Sequence, residues 1–221
     1  MGKEENTNRG RVLIVTAVAA ERDAVLRGLG GDERFHVVAA GVGPAAAAAG
    51  TAAALAAGGY RLAVSAGIAG GFAGTAAVGS LVVAGEIIAA DLGVETPDGF
   101  ASVDALGFGS SRIGVDARLA GALAAGIAAA GLPVSTGPVL TVTTATGMAA
   151  TAAEHERRVP GAAAEAMEGF GVATAALQFG LPALELRAIS NAVGPRDRDA
   201  WRIGDALQAL ERASRILTEV L

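Results

Sequence analysis

Short apolar runs alternate with longer stretches of small residues along almost the whole chain. Residues 11–18 (RVLIVTAV) form a β-branched run too short for a buried helix, which predicts a central strand. Residues 37–40 predict a second, weaker strand that ends in Gly41-Val42-Gly43-Pro44. The alanine-rich stretch 44–57 predicts a helix, with proline in its first turn and Gly58-Gly59 as its stop. Residues 62–66 predict a third strand, running into the glycine-rich turn Gly67-Ile68-Ala69-Gly70-Gly71. Further strands are expected over 81–90, where Gly85 and Glu86 mark a bulge, over 138–142, and over 183–190, ending at Asn191. Residues 162–167 are expected to be extended. Helices are expected over 118–130, 149–158, 169–179 and 203–221, the last with Ile203, Leu207, Leu210, Ala213, Leu217 and Leu221 on one face. The stretch 95–111, which holds Pro97, Asp98 and Gly99, is the least regular. Strands alternating with helices predict one three-layer α/β domain over residues 11–221, with polar and glycine residues gathered after strand ends, where open sheets bind ligands. Residues 1–10 are polar and charged, and are expected to be a disordered tail.

Composition narrows this picture. The chain has 221 residues, of which 52% are hydrophobic but only 4% aromatic, so its core must be built by close approach of small side chains. The net charge is −5 and no stripe of arginines stands out, which argues against a nucleic-acid partner. The absence of cysteine excludes disulfides and thiolate chemistry, and His36 and His155 have no ligand spacing, so no metal site or cofactor is expected. The uncharged segments 35–60 and 62–85 are mostly alanine and glycine, which read as buried strand and helix rather than membrane spans. With no secretory signal at the N-terminus, a cytoplasmic location is expected.

Four features carry candidate chemistry. Gly41-Val42-Gly43 follows a strand and opens a helix, but the third glycine of a dinucleotide fingerprint is replaced by Ala46, so a tight turn beside a small ligand is the better reading. Glu21 stands just after the first strand, where the helix dipole favours an acid. Glu168 lies between an extended segment and an apolar helix, where solvation is poor and a carboxylate needs a partner or a task. Asn191 ends a strand in the same way. Two carboxylates and an amide at strand ends suit cleavage of a glycosidic bond, one acid activating water and the other holding sugar hydroxyls; other hydrolytic schemes stay open on these residues alone.

At these positions the chain resembles the purine nucleoside phosphorylase and nucleosidase superfamily. Glu165-Ala166-Met167-Glu168-Gly169 is similar to its ribose-binding segment, Arg187-Ala188-Ile189-Ser190-Asn191 to its "RxISD" strand end, and Ser65-Ala66-Gly67-Ile68-Ala69-Gly70-Gly71 to its glycine-rich segment. The resemblance covers nearly all of residues 11–221. It implies a central mixed, twisted sheet between helical layers and a purine nucleoside as substrate. Phosphorylases of this fold hold phosphate with a glycine and an arginine after the first strand, whereas this chain has Ala19-Ala20-Glu21. That departure resembles the nucleosidases and implies that Glu21 activates water, with Glu168 and Met167 holding the ribose. A carboxylate there would also repel phosphate.

The amide at Asn191 replaces the aspartic acid of methylthioadenosine and S-adenosylhomocysteine nucleosidases. It offers both a donor and an acceptor, which suits a 6-oxopurine better than adenine. Family members that join a water-activating glutamate, a "MEG" segment and a "SNxVG" strand end cleave futalosine to hypoxanthine and dehypoxanthinyl futalosine on a route to menaquinone. The resemblance implies that activity here, with Glu21, Glu168 and Asn191 catalytic and Met167, Ser190, Ile68, Gly70 and Thr146 binding substrate. A methylthioadenosine nucleosidase, a phosphorylase and a non-catalytic nucleoside binder are the alternatives. Where adenine-specific relatives place a phenylalanine and an isoleucine against the base, this chain has Ala145 and Thr146, so no stacking partner is assigned. Arg196 and Arg198 are candidates for the benzoate carboxylate. Relatives complete their pockets across subunit interfaces, which implies a homo-oligomer, here a dimer, with the 95–111 stretch reaching a neighbouring site.

Overall fold

The computed structural model describes residues 10–221, so the expectation for residues 1–10 lies, except at Gly10, outside the described residues. Strands β1 (Arg11–Thr16), β2 (Phe35–Ala39), β3 (Tyr60–Gly71) and β4 (Leu81–Ala89) come first, with helices α1 (Ala19–Leu29) and α2 (Pro44–Leu55) between the first three. A hairpin of β5 (Gly93–Thr96) and β6 (Gly99–Ser102), the short α3 (Val103–Leu106) and β7 (Arg112–Gly114) follow. Then come α4 (Ala117–Ala129), β8 (Val134–Thr141), α5 (Ala149–Arg158), β9 (Ala164–Ala166), α6 (Gly169–Gln178), β10 (Ala183–Ala192) and α7 (Ile203–Val220).

The sheet is mixed, and helices pack on both of its faces, as expected. Val25 and Leu29 of α1, Leu123 and Ile127 of α4 and Leu210 and Leu217 of α7 cover one face. Ala47 and Leu55 of α2 with Val172 and Ala176 of α6 cover the other. The pairing pattern adds something that strand alternation does not foretell. β3 pairs with β10, β10 with β4, β4 with β8, β8 with β9, and β9 again with β3, so five strands close into a ring from which β1 and β2 extend. Phe72, Leu140 and Val142 are buried in a third apolar cluster, against which Met167 packs.

Small residues set how closely helices within one layer approach each other. A Cβ on Gly28 of α1 would lie 2.1 Å from the Glu211 carbonyl oxygen of α7, and one on Gly171 of α6 would lie 2.1 Å from the Pro44 carbonyl oxygen of α2. Of the six residues expected on the buried face of α7, Leu210, Ala213 and Leu217 are buried. Ala206, Ala209, Leu210, Ala213 and Leu217 are buried, whereas Ile203 is exposed. The glycine-rich segment 67–71 is strand rather than turn, because β10 supplies ladder partners along β3 and β9 pairs with its far end. β8 starts at Val134, earlier than expected, and Pro138 is tolerated because it faces the bulge in β4 between Ala84 and Glu86. The 95–111 stretch is not irregular but contains most of the β5–β6 hairpin, with α3 beyond it; Gly99 takes the positive φ of 111° at the turn. Among the described residues no helix is long and apolar enough to cross a membrane.

Candidate active site

A cavity of about 370 Å³ opens where β1, β3, β9 and β10 end. The structure brings all eight expected residues to its wall: Glu21, Ile68, Gly70, Thr146, Met167, Glu168, Ser190 and Asn191. They come from parts of the chain up to 170 positions apart, and the sheet gathers them by ending its strands together.

Glu21 sits in the first turn of α1 and is 4% exposed. Its Oε2 accepts the N–H groups of Ala17 at 2.9 Å and Val18 at 3.2 Å, and its Oε1 accepts the N–H of Ile68 at 2.9 Å. The carboxylate thus caps its own helix and ties it to β3. About one of its four acceptor sites is left for a ligand or water.

Glu168 immediately precedes α6 and is 6% exposed. Oε1 accepts the Gly43 N–H at 3.2 Å; Oε2 accepts the Met167 N–H at 3.3 Å and the Arg187 Nη1 at 3.3 Å. The Gly41–Gly43 turn, read above as a backbone approach to a ligand, therefore spends the Gly43 N–H on Glu168. Arg187, which sequence reasoning gave no role, is the hub of this region. Its Nε donates to Glu185 Oε1 at 2.7 Å and its Nη2 to Ser65 Oγ at 2.8 Å, and it is 1% exposed. Burial alone would lower the Arg187 pKa, but Glu185, Glu168 and Glu21 together hold it above the usual arginine value. Burial pushes Glu185 up despite the attraction of Arg187. Glycines make room for the cluster: a Cβ on Gly67 would lie 2.6 Å from Glu21 Oε1, and one on Gly169 would lie 2.2 Å from Glu185 Oε2. The sequence signal was present in β10, where Glu185 and Arg187 stand two apart in an apolar strand and so share a face.

At the opposite side, the Ser190 hydroxyl donates to Asn191 Oδ1 at 2.8 Å, and Asn191 Nδ2 donates to the Ala192 carbonyl at 2.9 Å. The amide is oriented by two neighbours and keeps one N–H for a ligand. Thr146 lines the cavity, but its hydroxyl donates to Glu165 Oε2 at 2.6 Å and its N–H to Glu165 Oε1 at 2.8 Å. His155, buried on α5, places Nδ1 at 3.3 Å from Glu165 Oε2. Among the described residues Trp201 is the only aromatic one in the cavity wall, and the Arg196 guanidinium lies 5.4 Å from its ring centre. Arg198 is not part of the wall. No group of three or more histidine, aspartate or glutamate side chains among the described residues is arranged to hold a metal ion.

This arrangement can bind hydroxyls and deprotonate water at one end, and donate a hydrogen bond to a heterocycle at the other. Comparison with known proteins bears on which ligand it meets. The family model described as the phosphorylase superfamily matches residues 8–221. The futalosine hydrolase of Streptomyces coelicolor is 53% identical, covering 95% of this chain and 96% of its own. That of Acidothermus cellulolyticus is 47% identical, covering 91% of this chain and 87% of its own. Among solved structures, the native futalosine hydrolase of Helicobacter pylori superposes with a TM-score of 0.83 at 17% identity, covering 98% of this chain and 100% of that one. The 5′-methylthioadenosine/S-adenosylhomocysteine nucleosidase of the same organism, with butyl-thio-DADMe-Immucillin-A, gives 0.80 at 17% identity, covering 96% and 98%. At those identities the structural likeness speaks for the fold alone.

Proposed function

The chain belongs to the phosphorylase superfamily, and from that premise we propose that it hydrolyses the N-glycosidic bond of futalosine, releasing hypoxanthine and dehypoxanthinyl futalosine on a route to menaquinone. The observation that carries the reaction class is the meeting of Glu21 and Glu168 beside Arg187 at one end of the cavity, opposite Asn191. The close sequence likeness to two futalosine hydrolases supports the choice of substrate.

In this reading Glu168 accepts hydrogen bonds from the ribose hydroxyls. As the C1′–N9 bond lengthens, positive charge grows on the sugar, and a carboxylate bonded to its 2′-hydroxyl interacts more strongly than in the ground state. Glu21 takes a proton from water as the water oxygen bonds to C1′, and the electron pair of the broken bond leaves with the base. Asn191 steadies that departing charge through its remaining Nδ2–H; its Oδ1, already accepting from Ser190, has one lone pair left for a base N–H. The acidic wall of Glu21, Glu165 and Glu168 disfavours a phosphate dianion, which supports water as the nucleophile.

A homodimer working in the cytoplasm belongs to the same proposal. Phe108, in the 95–111 stretch expected to reach a neighbouring site, is 79% exposed, which suits its burial against a second copy. The deciding assay incubates the protein with futalosine, inosine and methylthioadenosine, with and without phosphate, and identifies the base. Hypoxanthine released from futalosine without phosphate is expected, with Glu21→Gln lowering kcat about 10²–10⁴-fold. Adenine from methylthioadenosine as the main product, or a need for phosphate, would replace the reading.

A further inference from the structure

Glu185 is fully buried, and the chemistry above leaves it without a task. It stands two residues before Arg187 in β10, so the two side chains share a face. The ladder pairs Glu185 with Ser65 and Arg187 with Gly67. A Cβ on Gly67 would lie 2.8 Å from Arg187 Nη1, so the glycine leaves room for the guanidinium. The described cavity wall includes Glu168 and Glu21 but neither Glu185 nor Arg187. The charges therefore stand in series from the core outwards: Glu185, Arg187, Glu168, and then the space for the sugar.

Arg187 is held unequally along this series. Its Nε lies 2.7 Å from Glu185 Oε1, a full charge-assisted hydrogen bond, whereas its Nη1 lies 3.3 Å from Glu168 Oε2, longer than such bonds usually are. Ser65 Oγ fixes another corner at 2.8 Å. The second oxygen of Glu185 has no partner, and a Cβ on Gly169 would lie 2.2 Å from it. A buried carboxyl with one oxygen unpaired adds little to stability, since an apolar residue there would avoid its desolvation. We propose that Glu185 is a positioning residue: it draws the Arg187 guanidinium back from Glu168, so that Glu168 presents more of its negative charge to the cation forming on the ribose. Arg187 anchors Glu168, but a cation given wholly to that carboxylate would cancel the charge that the sugar needs. The charged groups facing Glu185 are Arg187 on its own strand, Glu168 ahead of α6 and, beyond the guanidinium, Glu21 of α1. Burial raises the Glu185 pKa above the ordinary 4.5. Its charge, and its hold on Arg187, therefore grow as pH rises through that higher value. The inference rests on the nucleosidase reading for its sugar cation, but not on futalosine as the substrate.

Glu185→Gln tests it, because glutamine keeps the size and neutrality of the protonated acid and lacks the charge gained at higher pH. Calorimetry compares two purine nucleoside analogues. One carries a protonated pyrrolidine nitrogen where the ribose cation forms, and the other is its neutral carbocyclic counterpart. In the wild type the preference for the cationic analogue should rise with pH, over a range in which the amine stays protonated. In Glu185→Gln it should stay about tenfold lower, as expected for one charge about 10 Å away at an effective dielectric near 20. With futalosine the same variant should lose about tenfold in kcat at the upper end of that range, with KM near the wild type. Ser65→Ala removes another anchor of Arg187 without changing a charge, and should lower the urea midpoint with the preference kept. A wild-type preference that stays flat with pH, a Glu185→Gln variant that keeps the wild-type preference, or a Ser65→Ala variant that loses as much of it, overturns the proposal. Should the wild type fail to cleave futalosine, the reading of the substrate falls, while the analogue titration still decides the role of Glu185.

Discussion

Around Arg187 the cavity is backed by charged side chains that are buried and tied to one another, with only Glu185 Oε2 left unpartnered, whereas around Trp201 its wall is loop residues that face water. In the first region Arg187, Glu185, Glu168 and Ser65 are joined by hydrogen bonds of 2.7 to 3.3 Å, none of these residues being more than 6% exposed. In the second, Arg196 is exposed, Trp201 is half-buried, and residues 193–197 belong to no helix or strand. The first region meets a demand on a nucleosidase. A sugar that develops charge needs a field fixed before it arrives, since only preorganised groups avoid the cost of turning during the reaction.

The comparison breaks most sharply at Arg187. Replacing it by methionine keeps much of its length but leaves Glu185, Glu168 and Glu21 close together with no cation among them. Loss of one partner from a buried ionic cluster costs about 3–5 kcal/mol. Urea unfolding of Arg187→Met should show a drop of that order in midpoint stability at unchanged slope, together with loss of turnover. A variant that unfolds like the wild type would mean that the cluster does not hold this end of the cavity together.

The other end should respond differently. Trp201→Ala removes the one aromatic surface of the wall, and an aromatic contact of this kind contributes about 0.5–1.5 kcal/mol beyond its area. With futalosine as substrate, KM should rise by about tenfold while kcat and urea stability stay near the wild type. A fall in kcat with KM unchanged would show Trp201 acting on the chemistry and erase the division between the two ends.

The sequence made the first region more legible than the second, and packing explains why. Glu21, Glu168 and Asn191 stand at strand ends or helix starts, positions that the alternation of apolar runs locates to within a few residues. Their convergence follows once the strands are placed in one sheet. What stayed hidden was the hub: Arg187 looks like any arginine until Gly67, on the facing strand, is seen to leave space for it. Trp201 and Glu165 were missed for a related reason. Trp201 reaches the cavity through a loop without periodicity, and Glu165 owes its place to the register of β9 against β3, which pairs only two residues. The ring closure of the sheet was equally illegible, because strand order depends on contacts between distant segments.

A smaller effect separates buried from exposed charge by its sign with pH. Asp104, fully exposed at the start of α3, accepts hydrogen bonds from the Ser111 hydroxyl, the Ser111 N–H at 3.0 Å and the Ser110 hydroxyl at 2.9 Å. The Ser111 hydroxyl contributes most, and the carboxyl is lowered from 3.8 to about 2. A depressed acid favours the folded form above its unfolded value, so the contribution of Asp104 is complete above 3.8 and is lost as pH falls through about 2. Glu185 behaves in the opposite sense. Its pKa is raised by burial above the ordinary 4.5, so its contribution is complete below that value and is lost as pH rises through the higher folded value. Acid therefore loosens the link between α3 and β7 while relieving the strain of ionised Glu185 in the core. Carbon-detected NMR titration should place the Asp104 carboxyl midpoint near 2, and Ser111→Ala should move it back towards 3.8. An Asp104 midpoint that ignores Ser111 would mean that solvent, not the serine, sets the charge of this loop, as it does for an unstructured aspartate.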